Sequence, residues 1–352
     1  MKKINTMRAA GGLLIATLLS TSAVSGTYAK YVSGGSAGDT ARVAKWGVVI
    51  SATGNLFSKN YLVATNTPTA STTDANISVE SSNTDMLVAP GTKSATGLSF
   101  SISGTPEVDA LVTATIDTKD VYLAEGSYGL MKPITITDSA AFNAAVDEGN
   151  LFSLSGSAYT PLSTTTDTTT NTVTYPTFTS GTTYYQLDTA TIANVAEGGY
   201  YPVKFAYGSS TSTKAVDIGG EIAKALNGGT ALTAAQKTVA DGTTTYSISK
   251  TYDSNTDLAT ELATSNQSLS WEWKYNGAID DAWNNVDYED TILGDLAAGT
   301  TGVVTLTYDG TKITGATKIS ADATTGLVSD GTNTLGCIRE TFNISMTAVQ
   351  VD

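Results

Sequence analysis

The chain has 352 residues, with 19 Lys and Arg against 33 Asp and Glu and a formal net charge of −14 at pH 7. That balance excludes a nucleic-acid footprint and argues against adhesion to an anionic membrane by charge. With no histidine and one cysteine, the usual general base, zinc ligand and triad member are all missing and no intrachain disulfide can form.

Residues 1–29 have the layout of a secretory signal peptide. Lys2, Lys3 and Arg8 form a cationic head, and the apolar stretch 11–19 is too short to span a bilayer. Small residues then lead to Gly26-Thr27-Tyr28-Ala29. Thr27 and Ala29 suit the small pockets that read the positions before a cut, so cleavage is expected after Ala29, with Ala23 as the second choice. A retained amphipathic anchor is the alternative. Losing the signal leaves a net charge of −17, and the mature protein is expected outside the cytoplasm, secreted or at the cell surface.

Residues 30–44 form an N-terminal arm, Gly-rich over 30–38 and flexible by composition. Residues 39–51 read as a strand with Trp46, Val48 and Ile50 on one side, and 77–80 as a short extended piece. Val88-Ala89-Pro90-Gly91 reads as a turn that launches strand 98–103, where Leu98, Phe100 and Ile102 alternate with serines. A further strand is expected over 109–117.

The stretch of about 120–260 reads as an insertion. Ser139 is expected to cap a short helix through Phe142, Ala145 and Val146 to Gly149. The Thr-rich run 164–174 reads as a loop or exposed hairpin, 200–207 as a strand, and 221–226, 233–240 and 257–264 as helical pieces. Strand character returns at 268–275, with Leu269, Trp271, Trp273 and Tyr275 on one face. A helix follows over 289–298, then strands over 303–308 and 342–351. Cys337, beside Ile338 in a strand-like run, reads as a small buried residue rather than a nucleophile. No second apolar stretch reaches membrane-spanning length, and the C-terminal run shows no sorting motif. Thr, Ser, Gly and Ala dominate and charged residues are 15%, which suits a core of β-branched and small side chains. The expectation is a mainly β protein: one antiparallel sandwich domain over 45–352, with short helices in inserted connections.

Three chemistries can be weighed. A zinc peptidase helix needs two histidines around a glutamate, and there are none. The carboxylates Asp280, Asp281, Asp287, Glu289, Asp290 and Asp295 could serve a glycosidase with Trp271, Trp273 or Trp283 as stacking surfaces, but they read better as negative charge at the N-terminus of helix 289–298. Asp253, Asn255 and Asp257 have the alternate spacing that opens a calcium loop. Leu258 stands where that loop needs Gly, and Thr264 where it needs Glu. The expectation is a non-enzyme with no cofactor, calcium being the one metal to consider.

Taken together, the signal ending Gly26-Thr27-Tyr28-Ala29, the short arm, the run Trp46-Gly47-Val48-Val49-Ile50, the Pro90-Gly91 turn before an amphipathic strand, and the closing run Ile344-Ser345-Met346-Thr347-Ala348-Val349-Gln350 resemble the TasA/camelysin family of exported Gram-positive proteins. Trp271-Glu272-Trp273, followed by Asp287 and Asp290-Thr291-Ile292-Leu293-Gly294, looks like a branch of the same exported group. The resemblance covers about the first 118 and last 85 residues. It implies a jelly-roll-like β-sandwich, cleavage by a SipW-type signal peptidase, and assembly into extracellular matrix fibres. In that family a segment freed by cleavage is donated as a strand to the next subunit. Here the donor would be the arm, with Lys30, Tyr31, Val32, Ala41 and Val43 as its candidate residues and a homopolymer as the product. The alternatives are a monomeric secreted adhesin or carbohydrate-binding protein, and a hydrolase using the carboxylates of 280–295.

Overall fold

Serines alternating with Leu98, Phe100 and Ile102 produce the strand Leu98–Ser103 in a computed structural model that describes residues 44–58, 60–64, 79–80, 86–262, 267–274 and 287–351. Phe100 and Ile102 are buried, as a period of two requires. On one side this strand pairs with Val49–Thr53, and on the other with Ser268–Trp273. The strands Thr92–Ser94, Asn60–Val63, Val79–Glu80, Val203–Tyr207 and Ser210–Ser212 complete an eight-stranded antiparallel sheet. A second sheet runs in the order Lys237–Ala240, Thr243–Tyr252, Ala110–Lys119, Thr341–Gln350. Both sheets feed one core. Phe100, Ile102, Phe205 and Trp271 come from the first, and Val112, Ile116, Ile248 and Phe342 from the second.

Helix Ala215–Leu226 packs against strands of both sheets and buries Ile218, Ile222 and Leu226. A Cβ on Gly219 would lie 2.6 Å from Thr118 Cγ2, so glycine is what lets the helix approach the sheet this closely. The helix's own N-cap, Lys214, makes no side-chain cap bond. Asp120 supplies it from a distance, its Oδ1 accepting the Ala215 N–H.

A third sheet was not anticipated. Gly126–Ile134, Tyr184–Leu187, Phe152–Ser155, Ala158–Pro161, Lys312–Lys318 and Val303–Asp309 pair in succession, and the last also pairs with the first, so the path closes into a ring. Ala193–Val195 joins its flank. Met131, Phe152, Tyr159, Leu187, Val304, Leu306 and Ala316 form a core of their own. A fourth, small sheet links Ser320–Ala321, Leu327–Ser329, Thr334–Cys337 and Tyr122–Leu123, and there Cys337 is buried.

The protein is therefore mainly β, built from several antiparallel sheets. Residues 120–260, expected as one insertion, are divided: the strands of 126–195 go to the ring with 303–318, except Thr165–Asp167 and Thr172–Thr174, which form a hairpin of their own, whereas 203–252 supply strands to the first two sheets. Local corrections have local causes. The first helix is Ser139–Asp147 and its cap is Asp138, whose carboxylate accepts the Ala140 and Ala141 N–H groups; Ser139 is the first helical residue. Residues 233–240, expected helical, make one 3₁₀ turn, Ala234–Gln236, and then the strand Lys237–Ala240. Asp241 and Gly242, both at positive φ, form the two-residue hairpin loop that turns this strand back into Thr243–Tyr252. Of the strand expected over 39–51, residues 44–48 are not in a strand, which begins at Val49 and runs to Thr53, and 39–43 lie outside the described residues.

Candidate strand-docking seam

The two sheets that share the main core each end on an edge strand, and these edges lie against each other: Val49–Thr53 from the first and Thr341–Gln350 from the second. Each pairs on one side only among the described residues.

Hydrogen-bond parity shows what the edges present. The Val351 N–H donates to Asp109 O at 2.9 Å, in register with the ladder that pairs Gln350 with Ala110. In an antiparallel pair, bonded and non-bonded residue pairs alternate. The odd residues of Thr341–Gln350 therefore bond Ala110–Lys119, while Phe342, Ile344, Met346 and Ala348 direct their peptide groups to the free edge. Their side chains lie on the core face: Phe342 and Met346 are buried, and Ile344 and Ala348 half-buried against the core. The same parity governs the other edge. The Glu107 N–H donates to Lys45 O at 3.0 Å, so Ile50 and Ala52 send their peptide groups outward. Their side chains share the face of Ile102 and Phe100, their cross-strand partners, yet both are exposed. The result is an apolar seam between two sheet edges that have no strand added to them among the described residues. The C-terminal edge carries no charge, proline or glycine along its ten residues, and so lacks the devices that protect edges from pairing.

Chain entry to the seam is pinned. Lys45 N–H donates to Glu107 Oε2 at 2.9 Å, and Lys45 O accepts from the Glu107 N–H. Thr27, Ala29, Lys30, Tyr31, Val32, Ala41 and Val43 lie outside the described residues, as do Asp280, Asp281 and Trp283.

The other candidates fall into structural roles. Trp271 and Trp273 are 2% and 5% exposed; the Trp271 indole N–H donates to Leu56 O at 2.7 Å. Neither can form the exposed stacking surface that a carbohydrate-binding reading needs. Asp287 caps helix Tyr288–Ala298, its Oδ1 accepting the Glu289 and Asp290 N–H groups. Asp290 accepts from the Tyr200 hydroxyl at 2.7 Å and from the Trp273 indole at 3.2 Å. Burial pushes its carboxyl up to about 7, the Asp287 and Glu289 charges adding to the rise and these two donors opposing it. Asp120 is raised to about 6, also chiefly by burial. Glu340 lies well above the ordinary range for the same reason; its Oε2 accepts the Val121 N–H at 2.9 Å while its buried Oε1 has no partner among the described residues. Asp257 spends both oxygens on Ala259 N–H and Thr260 Oγ1, capping Leu258–Leu262. Asn255 sits at φ 64 with its N–H on Pro106 O. Among the described residues no group of three His, Cys, Asp or Glu is placed to hold a metal, and no helix is long and apolar enough to cross a membrane.

The outward-facing residues of the C-terminal strand were not singled out as an acceptor in the sequence, although a long uncharged alternating run is the signal that marks an unguarded edge. No protein-family model matches the chain, and no curated protein or solved structure matches it either.

Proposed function

We propose that this protein is a secreted structural subunit of extracellular or cell-surface filaments in a biofilm matrix. Its main core belongs to a jelly-roll-like sandwich, and the arm 30–44, freed by a SipW-type signal peptidase, completes the sandwich of the next copy. The observation that carries this reading is the seam: two adjacent sheet edges, one long and uncharged, with core-facing Ile50 and Ala52 left exposed. A donated strand satisfies both deficits, bonding the free peptide groups and covering the apolar side chains. Donation from each copy to the next is a heterologous contact that does not close, so it builds a fibre. The TasA/camelysin resemblance at the N-terminus supports the same reading. No catalytic step or cofactor belongs to it.

The test is electron microscopy of the mature protein beside a variant lacking residues 30–38. The full mature chain should form filaments and the deletion should stay a folded monomer. Filaments of normal length from the deletion would overturn the reading.

A further inference from the structure

We infer that the cleft between the ring and the small fourth sheet binds a zwitterionic dipeptide with an apolar side chain, independently of filament assembly. The cleft has a volume of about 420 Å³, inside the range of about 300–1,000 Å³ typical of small-molecule sites. Three parts of the chain meet around it. The turn after helix Tyr288–Ala298 supplies residues 299–302, the end of Lys312–Lys318 supplies Lys318 from the ring, and the loop after Leu327–Ser329 supplies Asp330 from the small sheet. Leu296, Ile319 and Ala321 give the cleft an apolar lining continuous with the main core.

The charge pattern selects the ligand. Lys318 is half-buried, and among the described residues its ammonium has no ion-pair or hydrogen-bond partner. Asp330 is held ionised by its own loop, its Oδ1 accepting the Asn333 and Thr332 N–H groups at 2.7 and 2.8 Å. Its Oδ2 accepts from Asn333 Nδ2 at 3.2 Å. A carboxylate has about four lone-pair sites, so one remains for a ligand. Gly299, the C-cap of helix Tyr288–Ala298, also lines the cleft, which puts the negative pole of the helix dipole there.

A lone anion would meet Asp330 and that pole, and a lone cation would meet Lys318; each is half repelled. A molecule carrying both charges satisfies both, its carboxylate on Lys318 and its ammonium toward Asp330 and the helix end. The volume leaves room for a peptide bond between the charged ends, and the exposed hydroxyls of Thr301 and Ser320 are uncommitted among the described residues. An apolar side chain on the ligand covers Leu296 and Ile319.

Isothermal titration calorimetry of the mature protein with alanyl-leucine, its N-acetyl derivative and its C-terminal amide tests this without any variant. Alanyl-leucine should bind at millimolar concentration, and blocking either end should weaken binding about tenfold or more. Equal binding of the three, or no binding of alanyl-leucine, overturns the inference. Lys318→Met keeps the aliphatic stem and removes the charge. It should weaken the free dipeptide about tenfold and leave the amide's affinity unchanged. A Lys318→Met protein that still prefers the free dipeptide to its amide would show that Lys318 does not read the carboxylate, and the assignment falls.

Discussion

Ile50 and Ile102 stand opposite each other across an antiparallel pair, on the same face of the sheet, yet Ile102 is 0% exposed and Ile50 is 36% exposed. One position is inside the core and the other at its open mouth. The difference lies in what covers the strands: Leu98–Ser103 pairs on its other side at Leu98 and Ser99 and also packs against helix Leu258–Leu262, whereas among the described residues Val49–Thr53 pairs on one side only.

The pair should separate stability from assembly. Ile102→Ala removes a fully buried side chain and should cost about 2–5 kcal/mol. Ile50→Ser should cost less than about 1 kcal/mol in the monomer but shorten filaments, because the seam loses an apolar contact. Urea denaturation of the arm-deleted monomer checks the first, and filament length distributions check the second.

Glycine substitutions should divide by space. Gly294, in helix Tyr288–Ala298, has nothing within 4 Å of an added Cβ, so Gly294→Ala should stabilise by about 0.5–1 kcal/mol through helix propensity. Gly219→Ala gains the same propensity but drives a methyl to 2.6 Å from the β-branched Thr118, which sits in a strand and cannot yield easily. It should destabilise by about 1–3 kcal/mol. Thermal unfolding of the two variants, side by side, should move in opposite directions.

Stability should be greatest in mild acid. Asp290 at about 7, Asp120 at about 6 and the raised Glu340 hold protons more tightly folded than unfolded. Their contribution is full below the ordinary carboxylate value and is lost as pH rises through about 6–7. Asp188, lowered chiefly by its bond to Lys132, and Asp322 and Asp330, lowered chiefly by backbone N–H donors, act oppositely and lose their contribution as pH falls below that ordinary value. The melting temperature should peak near pH 4–6 and decline toward pH 8. Asp290→Asn keeps an acceptor for Tyr200 and Trp273 and removes the buried charge, so it should stabilise at pH 8 by on the order of 1–2 kcal/mol and flatten the decline. An unchanged slope between pH 5 and pH 8 would reject this assignment.

Where a strand is half-buried in a sheet, its pattern was readable. Leu98–Ser103, Ser268–Trp273 and Thr341–Gln350 follow from side chains alternating between core and solvent. The ring was not readable, because Gly126–Ile134 contains two glycines and a proline, and Tyr184–Leu187 is four residues long. Neither has enough period to register alone, and they become strands through partners that are distant in sequence. The misread 233–240 shows the limit of propensity: Ala234, Ala235 and Gln236 favour a helix, but the Asp241-Gly242 loop returns the chain onto Tyr246, and a hairpin results. The acidic run at 287–290 was legible as a helix N-terminus, whereas the Tyr200 and Trp273 contacts to Asp290 join separate elements and were not.

Side-chain order along the chain was enough to set the β character, the burial of the two tryptophans' face and the absence of histidine chemistry, since each depends on residue type and a two-residue period. Which strands would be left without a neighbour was decided by tertiary structure alone. An edge is a property of sheet order: Thr341–Gln350 and Ala110–Lys119 alternate in the same way, and only the assembled fold gives one a strand on both sides and the other, among the described residues, a strand on one.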